Sequence, residues 1–350
     1  MGIINLMRPS FFHHLHPPSI PALQARFRHT LAAGGLAVFL MGDLAITGIL
    51  EVFYYIPTPE QAALSIQTLT FLVPFGGLIR NLHFWAAQFL VIVSGLHLLR
   101  VVFTGAYNPP RRFNYLLGMG LFVLAVLLDF SGYVLRWDEG IRWALVTGTN
   151  LIKSIPLLGT PLYVSLVGGY QPGPATLLRF YGWHIFGLTI AAIILAAWHI
   201  FRVRRDGGIA IPPPPLRKSL ARISRFELVR REVLAMLLAS VGLLVLSVFA
   251  PAPLAPPIST ASTLPGIARA PWFFLWVQEL LKLGNPFLWG VVVPFLVLAI
   301  LTLIPYIFPK PGEAELGMWF PKGNRLAQVL FVLIASTILI LTFIALLPAS

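Results

Sequence analysis

Four histidines stand in two apolar stretches of this chain, His83 and His97 in the run 80–100 and His184 and His199 in the run 181–199. Imidazole is a nitrogen donor for transition metals, and within an apolar helix it is costly unless something binds it. In a helix rising about 1.5 Å per residue, His83 and His97 lie on nearly one face, roughly 21 Å apart along the axis. That is most of the thickness of a bilayer's hydrocarbon core. Two such helices, antiparallel and face to face, place one histidine pair in each half of the membrane. A haem iron takes two axial nitrogens where no substrate binds the metal. The residues are therefore read as ligands of two six-coordinate haems, His83 with His184 and His97 with His199. A lone intramembrane histidine more often hydrogen-bonds a neighbouring helix; four at these spacings argue for the metal.

Two further stretches carry glycines at the interval of His83 and His97: Gly34 with Gly48, and Gly118 with Gly132. One glycine in a membrane helix ordinarily means close packing. Matched intervals on two helices predict a smooth backbone wall for a flat macrocycle at each depth.

The elements that must position these residues follow from composition. The chain has 350 residues, 57% of them hydrophobic and 11% charged, with mean hydropathy +0.83; this is the polytopic membrane range. Seven stretches are long and apolar enough to span: about 30–55, 77–105, 114–136, 179–203, 230–250, 286–308 and 326–347. The expected fold is all-α: a four-helix di-haem bundle followed by a three-helix domain. The expected organisation is an N-terminal segment (1–29), the bundle (30–208), a linker (209–229) around the prolines of 211–215, and the second domain (230–350). No eighth span is expected after the last stretch. The segment Met1 to Pro21 lacks the arrangement of a cleavable signal, and His13, His14 and His16 read as solvated. The loop 137–178 is long, and its portion 143–155 reads as an amphipathic surface helix.

The 25 Lys and Arg outnumber the 12 Asp and Glu, for a formal charge of +13. The basic residues gather in alternate loops, which excludes a nucleic-acid face and favours an N-terminus on the cytoplasmic side. Only Arg80, Arg136, Arg142, Lys153, Arg179, Arg269 and Lys282 then fall outside. His83 and His184 become the outer pair. With no cysteine, disulfides, thiolate metal sites and thioether-attached haem are excluded; a third, noncovalent haem is not.

Several motifs now share one pattern: Thr47-Gly-Ile-Leu with Phe53-Tyr-Tyr-Ile-Pro-Thr-Pro59, Arg80-Asn-Leu-His83, His97-Leu-Leu-Arg100, Gly132-Tyr-Val-Leu, Ser154-Ile-Pro156-Leu-Leu-Gly159, Thr176-Leu-Leu-Arg179-Phe and Asn285-Pro-Phe. Together, from about Thr30 to Leu346, they resemble cytochrome b of the quinol–cytochrome c oxidoreductase family. The wider spacing of His184 and His199 and the three-helix second domain are similar to the chloroplast-type branch, with cytochrome b and subunit IV fused. The resemblance implies haem propionates near Arg80 and Arg100, and near Arg179 unless that residue only snorkels to the interface. It implies an outer quinol-oxidation pocket lined by Tyr133, Ile155, Pro156, Pro271, Trp272, Phe273 and Phe274. An inner quinone-reduction pocket falls near Arg202, Arg204 and Asp206. The implied reaction is a bifurcated oxidation: quinol gives one electron to a Rieske iron–sulfur protein and one to the outer haem, and the second reduces quinone inside. Implied partners are that Rieske protein, a c-type cytochrome, membrane lipid and a second copy of the complex, in a bacterial cytoplasmic membrane.

Two departures bear on the chemistry. The family's Pro-Glu-Trp-Tyr signature sets a carboxylate in the quinol pocket, and here the segment reads Ala270-Pro271-Trp272-Phe273. Arg136 also replaces the proline usual before Trp137. Asp129, an intramembrane carboxylate one turn before Gly132, is the candidate replacement for the missing acid, the bland alternative being a partner for Arg136 or for a backbone amide. Asp43 is a lesser candidate for a polar path on its own side. Two other readings stay open: a di-haem anchor of another quinone-linked dehydrogenase, and a transporter or scaffold that keeps the fold without turnover.

Overall fold

The computed structural model describes residues 19–22, 26–206, 221–258, 269–312, 315 and 318–347. The chain enters through strand β1 (Ser19–Pro21) and the helical turn α1 (Phe27–Thr30). Then come α2 (Ala33–Val52), α3 (Ala62–Leu72), α4 (Gly76–Phe103), α5 (Arg112–Leu135), α6 (Glu139–Lys153), α7 (Gly159–Val167) and α8 (Pro174–Arg205). After strand β2 (Arg222–Ser224) follow α9 (Arg225–Phe249), α10 (Trp272–Leu281), α11 (Leu288–Ile307) and α12 (Lys322–Leu346). Helices α2, α4, α5, α8, α9, α11 and α12 are long and apolar enough to cross a membrane, and they are the seven expected. The proline run 211–215 and His13, His14 and His16 lie outside the described residues.

Local chemistry moves two expected starts. Helix α8 begins at Pro174 rather than 179, because proline suits a first helical position and the Thr176 hydroxyl accepts from Gly173 N at 3.0 Å while donating to Val167 O at 2.6 Å. Helix α9 begins at Arg225 rather than 230, because Ser224 caps it by accepting from Glu227 N at 3.3 Å. The amphipathic segment expected at 143–155 is α6, which turns Ile141, Ala144, Leu145 and Thr149 inward. Helices α3, α7 and α10 were not foreseen, being too short to register as spans. Nor was the two-stranded antiparallel ribbon in which Ser19 pairs with Ser224.

The bundle pairs α2 with α4 and α5 with α8, and α4 packs against α5. The spanning helices keep large apolar side chains exposed, among them Ile46 and Trp198 in the bundle and Leu238 and Leu339 on α9 and α12. Water would punish such a surface; lipid does not.

Side chains of α4 clamp the second part of the chain onto this bundle. Arg80 donates to Ala252 O at 3.1 Å and Pro253 O at 2.6 Å, and Asn81 both donates to Ser247 O and accepts from Ala252 N. Trp85 donates to Ala250 O at 2.7 Å. Asp138, 1% exposed, accepts from Ala255 N at 3.1 Å. At the opposite end Asn108 donates to Pro311 O, Asn324 to Val102 O and Tyr115 to Leu301 O. Each such bond contributes about 1 kcal/mol net, and more is lost when a buried partner is orphaned. These bonds join the two parts independently of the segment 211–215. A protease site inserted within 211–215 and cut in detergent leaves both fragments eluting together on size exclusion; separated fragments would show that the linker holds them.

Candidate functional site

Each expected histidine pair closes across the bundle. The ring centroids of His83 and His184 are 6.4 Å apart, and those of His97 and His199 also 6.4 Å. The pairs are too far apart to hydrogen-bond. Two imidazoles bound to one ion at about 2 Å each would hold their centroids roughly 6 Å apart, so the spacing suits an ion between them.

Hydrogen bonding fixes which nitrogen faces such an ion. Thr47 Oγ1 donates its one proton to Asp43 O at 2.7 Å, so toward His83 Nδ1, at 2.9 Å, it only accepts. Ser131 likewise donates to Leu128 O at 3.0 Å and accepts from His184 Nδ1 at 3.0 Å. His199 Nδ1 donates to Asn114 O at 3.1 Å. These three rings therefore carry the proton on Nδ1 and leave the Nε2 lone pair open, as metal-bound histidines with an outer hydrogen-bond partner do. His97 Nδ1 is buried without a partner.

The four glycines lie against the histidine rings. A Cβ on Gly48 would come 3.0 Å from His83 Cε1, and one on Gly132 2.8 Å from His184 Cε1. The corresponding distances are 3.2 Å from Gly118 to His199 and 3.6 Å from Gly34 to His97. Absence of a side chain lets α2 approach α4, and α5 approach α8, with an imidazole lying in the gap.

His184 and His199 are one residue further apart than His83 and His97. Helix α8 absorbs the surplus in a π-helical turn at Trp183–Gly187, where Leu188 N bonds to Trp183 O and the Thr189 hydroxyl donates to His184 O. One residue is about 100° of α-helix, so the wide turn returns His199 to the face of His184. Both helices then present their histidines at matching depths.

All four histidines and all four glycines line one cavity of about 2080 Å³, well beyond the size of a single drug-like site. Among the described residues no group of three or more His, Cys, Asp or Glu assembles around an ion. Two imidazoles per layer leave the other coordination positions to a non-protein ligand, which is the donor set of a six-coordinate haem. Arg100, also on the cavity wall, donates from Nε to His29 O at 3.2 Å while its buried Nη2 has no partner. That open donor suits a haem carboxylate. Arg80 lines the cavity too, with both terminal nitrogens already bonded to the α9 exit segment. Arg179 lies elsewhere, its guanidinium covering Gly168 at φ +85°. Tyr55, at the cavity edge, donates to Leu135 O at 2.8 Å; burial first, and Tyr181 stacked 5.6 Å away second, push its phenol up and keep it a donor.

Of the residues expected around the quinol pocket, Asp129, Tyr133, Arg136, Pro271, Trp272 and Phe273 line the cavity. Pro156 and Phe274 are not on its wall: Phe274 packs 5.6 Å from Phe130. Arg136 is held by Asp138, at 2.7 Å, so the cation that replaces proline is neutralised locally and leaves Asp129 alone. Asp129 Oδ1 accepts instead from Gln88 Nε2 at 3.1 Å, and its Oδ2 is buried without a partner. On the other side Arg204 lines the cavity, whereas Asp206 is engaged by Arg202 at 3.0 Å and Arg205 at 2.9 Å. Sequence reasoning missed Thr47, Ser131, Gln88 and Glu51. The last is a cavity-lining acid whose Oε1 is buried without a partner. A hydroxyl directly before Gly48 and Gly132 was the visible signal for the first two.

Fold and site define an α-helical membrane protein built around two layers of paired imidazoles. A family model described as cytochrome b (N-terminal)/b6/petB matches residues 88–257. Cytochrome b6 of Heliomicrobium gestii is 38% identical over 183 residues, covering 51% of this chain and 86% of that protein. The menaquinol:cytochrome c reductase cytochrome b subunit of Geobacillus thermodenitrificans is 35% identical over 175 residues, 50% of this chain and 78% of that one. A chain of a hyperthermophilic respiratory Complex III shares the fold at TM-score 0.79 with 22% identity, covering 92% of this chain and 85% of that one. The chain belongs to the cytochrome b family, and b-type haem is the group that membership implies. Gly132→Ala, forced against His184, lowers the b-type absorbance of isolated membranes, whereas Gly34→Ala leaves it at the parent's level. Equal spectra for the two would refute the glycine contacts.

Proposed function

We propose that this protein is the electron-transfer subunit of a quinol–cytochrome c oxidoreductase, working between an outer quinol-oxidation site and an inner quinone-reduction site. The observation that carries the reading is the pair of imidazole layers, in which His83, His184 and His199 keep the Nε2 lone pair open. His83 and His184 would hold the outer of two noncovalent b haems, and His97 and His199 the inner. When bound, the haems supply one-electron carriers at two depths of the membrane. The chain's own residues do the rest. Arg100 offers Nη2 to a haem carboxylate on the inner side. Trp272, Phe273, Tyr133 and Pro271 wall the quinol pocket and exclude water, and Arg204 lines the quinone side. Asp129 Oδ2 accepts the quinol proton where the family's glutamate is missing.

The distribution of basic loops supports an N-terminus on the cytoplasmic side of a bacterial inner membrane, with protons released outside and taken up inside. The Geobacillus relative is by name a subunit of a menaquinol:cytochrome c reductase, which supports a c-type cytochrome as electron acceptor; a Rieske protein and a second copy of the complex complete the assembly we propose. We read the chain as a four-helix di-haem domain joined to a three-helix, subunit IV-like domain.

A dithionite-minus-oxidised spectrum with pyridine haemochrome quantification returns two b haems per chain, and His83→Ala and His97→Ala each lose one. No haem, or one, returns the scaffold or transporter reading to first place. Asp129→Asn, with haem content unchanged, slows quinol oxidation by about 10²-fold; a parent-like rate across pH removes Asp129 from the chemistry.

A further inference from the structure

Trp272 follows the proline that stands where the family's loop carries its acid. Its indole reaches out of a short 3-10 turn, Trp272–Phe274, and donates from Nε1 to Gln88 Oε1 at 2.7 Å. Gln88, on α4 and 8% exposed, passes the contact on through Nε2 to Asp129 Oδ1 at 3.1 Å, and Nε2 also lies 3.4 Å from Phe84 O. Three elements, the start of α10, α4 and α5, thus meet at one amide.

Chemistry fixes the direction of this chain. An indole N–H only donates, so the amide oxygen must face Trp272; the NH2 then faces Asp129 and only donates. Every polar atom of the Gln88 side chain is used. An amide has no readily exchanged charge state, so it cannot serve as a proton relay between loop and carboxylate. What it does is orient. It holds Oδ1 of Asp129 and leaves Oδ2, buried and without a partner, as the one atom of that carboxylate open to a new bond.

We infer that Gln88 is a positioning residue that locks Trp272 and the Asp129 carboxylate in one register, with Asp129 Oδ2 turned to the quinol. The inference rests on Asp129 accepting the quinol proton: the hydroxyl O–H bond breaks, the proton bonds Oδ2, and the electron leaves to the Rieske partner. Gln88 touches neither quinol nor haem. Its effect is on how Asp129 is presented.

Gln88→Met keeps volume and removes both hydrogen bonds. In membranes holding the whole complex, haem absorbance stays at the parent's level. With a short-chain quinol analogue, kcat falls about tenfold while KM stays within about twofold, the signature of a lost transition-state contact rather than lost binding. The carboxyl band of Asp129 in infrared difference spectra, assigned by its absence in Asp129→Asn, moves with it. Trp272→Phe keeps the Gln88–Asp129 bond, so the band moves less and kcat falls less; it carries the test should Gln88→Met not assemble. Parent-like kcat and an unmoved band in Gln88→Met, beside a slow Asp129→Asn, overturn the positioning role and leave the proton acceptor standing. A parent-like Asp129→Asn overturns both.

Discussion

An imidazole in hydrocarbon is costly while its ring nitrogens lack partners, and three of the four histidines here have one nitrogen served by the bundle, His97 being the exception. One nitrogen is served locally. Thr47, Ser131 and the Asn114 carbonyl take the Nδ1 proton of His83, His184 and His199, and the hydroxyls accept only because their own protons are spent on the preceding helical turn. The other nitrogen is left for whatever lies between the rings. The glycines follow from the same demand, since a ring can lie between two helices only where one of them gives up its side chain. The helix pairing of the bundle is therefore a consequence of ring placement as much as of apolar burial.

Charge is handled with equal economy. Arg136 sits against Asp138, and Arg202 and Arg205 share Asp206, so these ions near the bundle ends are neutralised by a neighbour on their own segment. A buried ion pair stabilises little, but an unpaired ion costs several kcal/mol. Against that background Asp43, Glu51 and Asp129 stand out, because each keeps a buried oxygen without a partner while Asp138 and Asp206 are held in ion pairs. Groups left so are where function is most economically sought.

The histidines, the glycine intervals and the seven spans were legible because they obey periodicities that a membrane enforces. The ring contacts of the glycines were not: Thr47 and Ser131 stood beside them, but only three-dimensional packing brings each glycine against one imidazole. Asp129 was picked out as an oddity of composition, yet its partner Gln88 lies 41 residues away in sequence on another helix, and no local rule joins them. Arg136 was legible as a cation near the pocket and lines the cavity, but its ion pair with Asp138, two residues on, was not foreseen. Short helices such as α3 and α10 escaped because an apolar run of eleven residues or fewer carries no span signal and owes its form to the larger helices around it.

The π turn of α8 separates two quantities that are easily confused, residue count and depth. A histidine pair fifteen apart and another fourteen apart reach the same two levels because one helix takes up slack in its own hydrogen-bond ladder. A search that imposes one interval on both histidine pairs fits one of these helices and misses the other. What is invariant is the level in the membrane. Homology in this architecture is better scored on heights than on intervals.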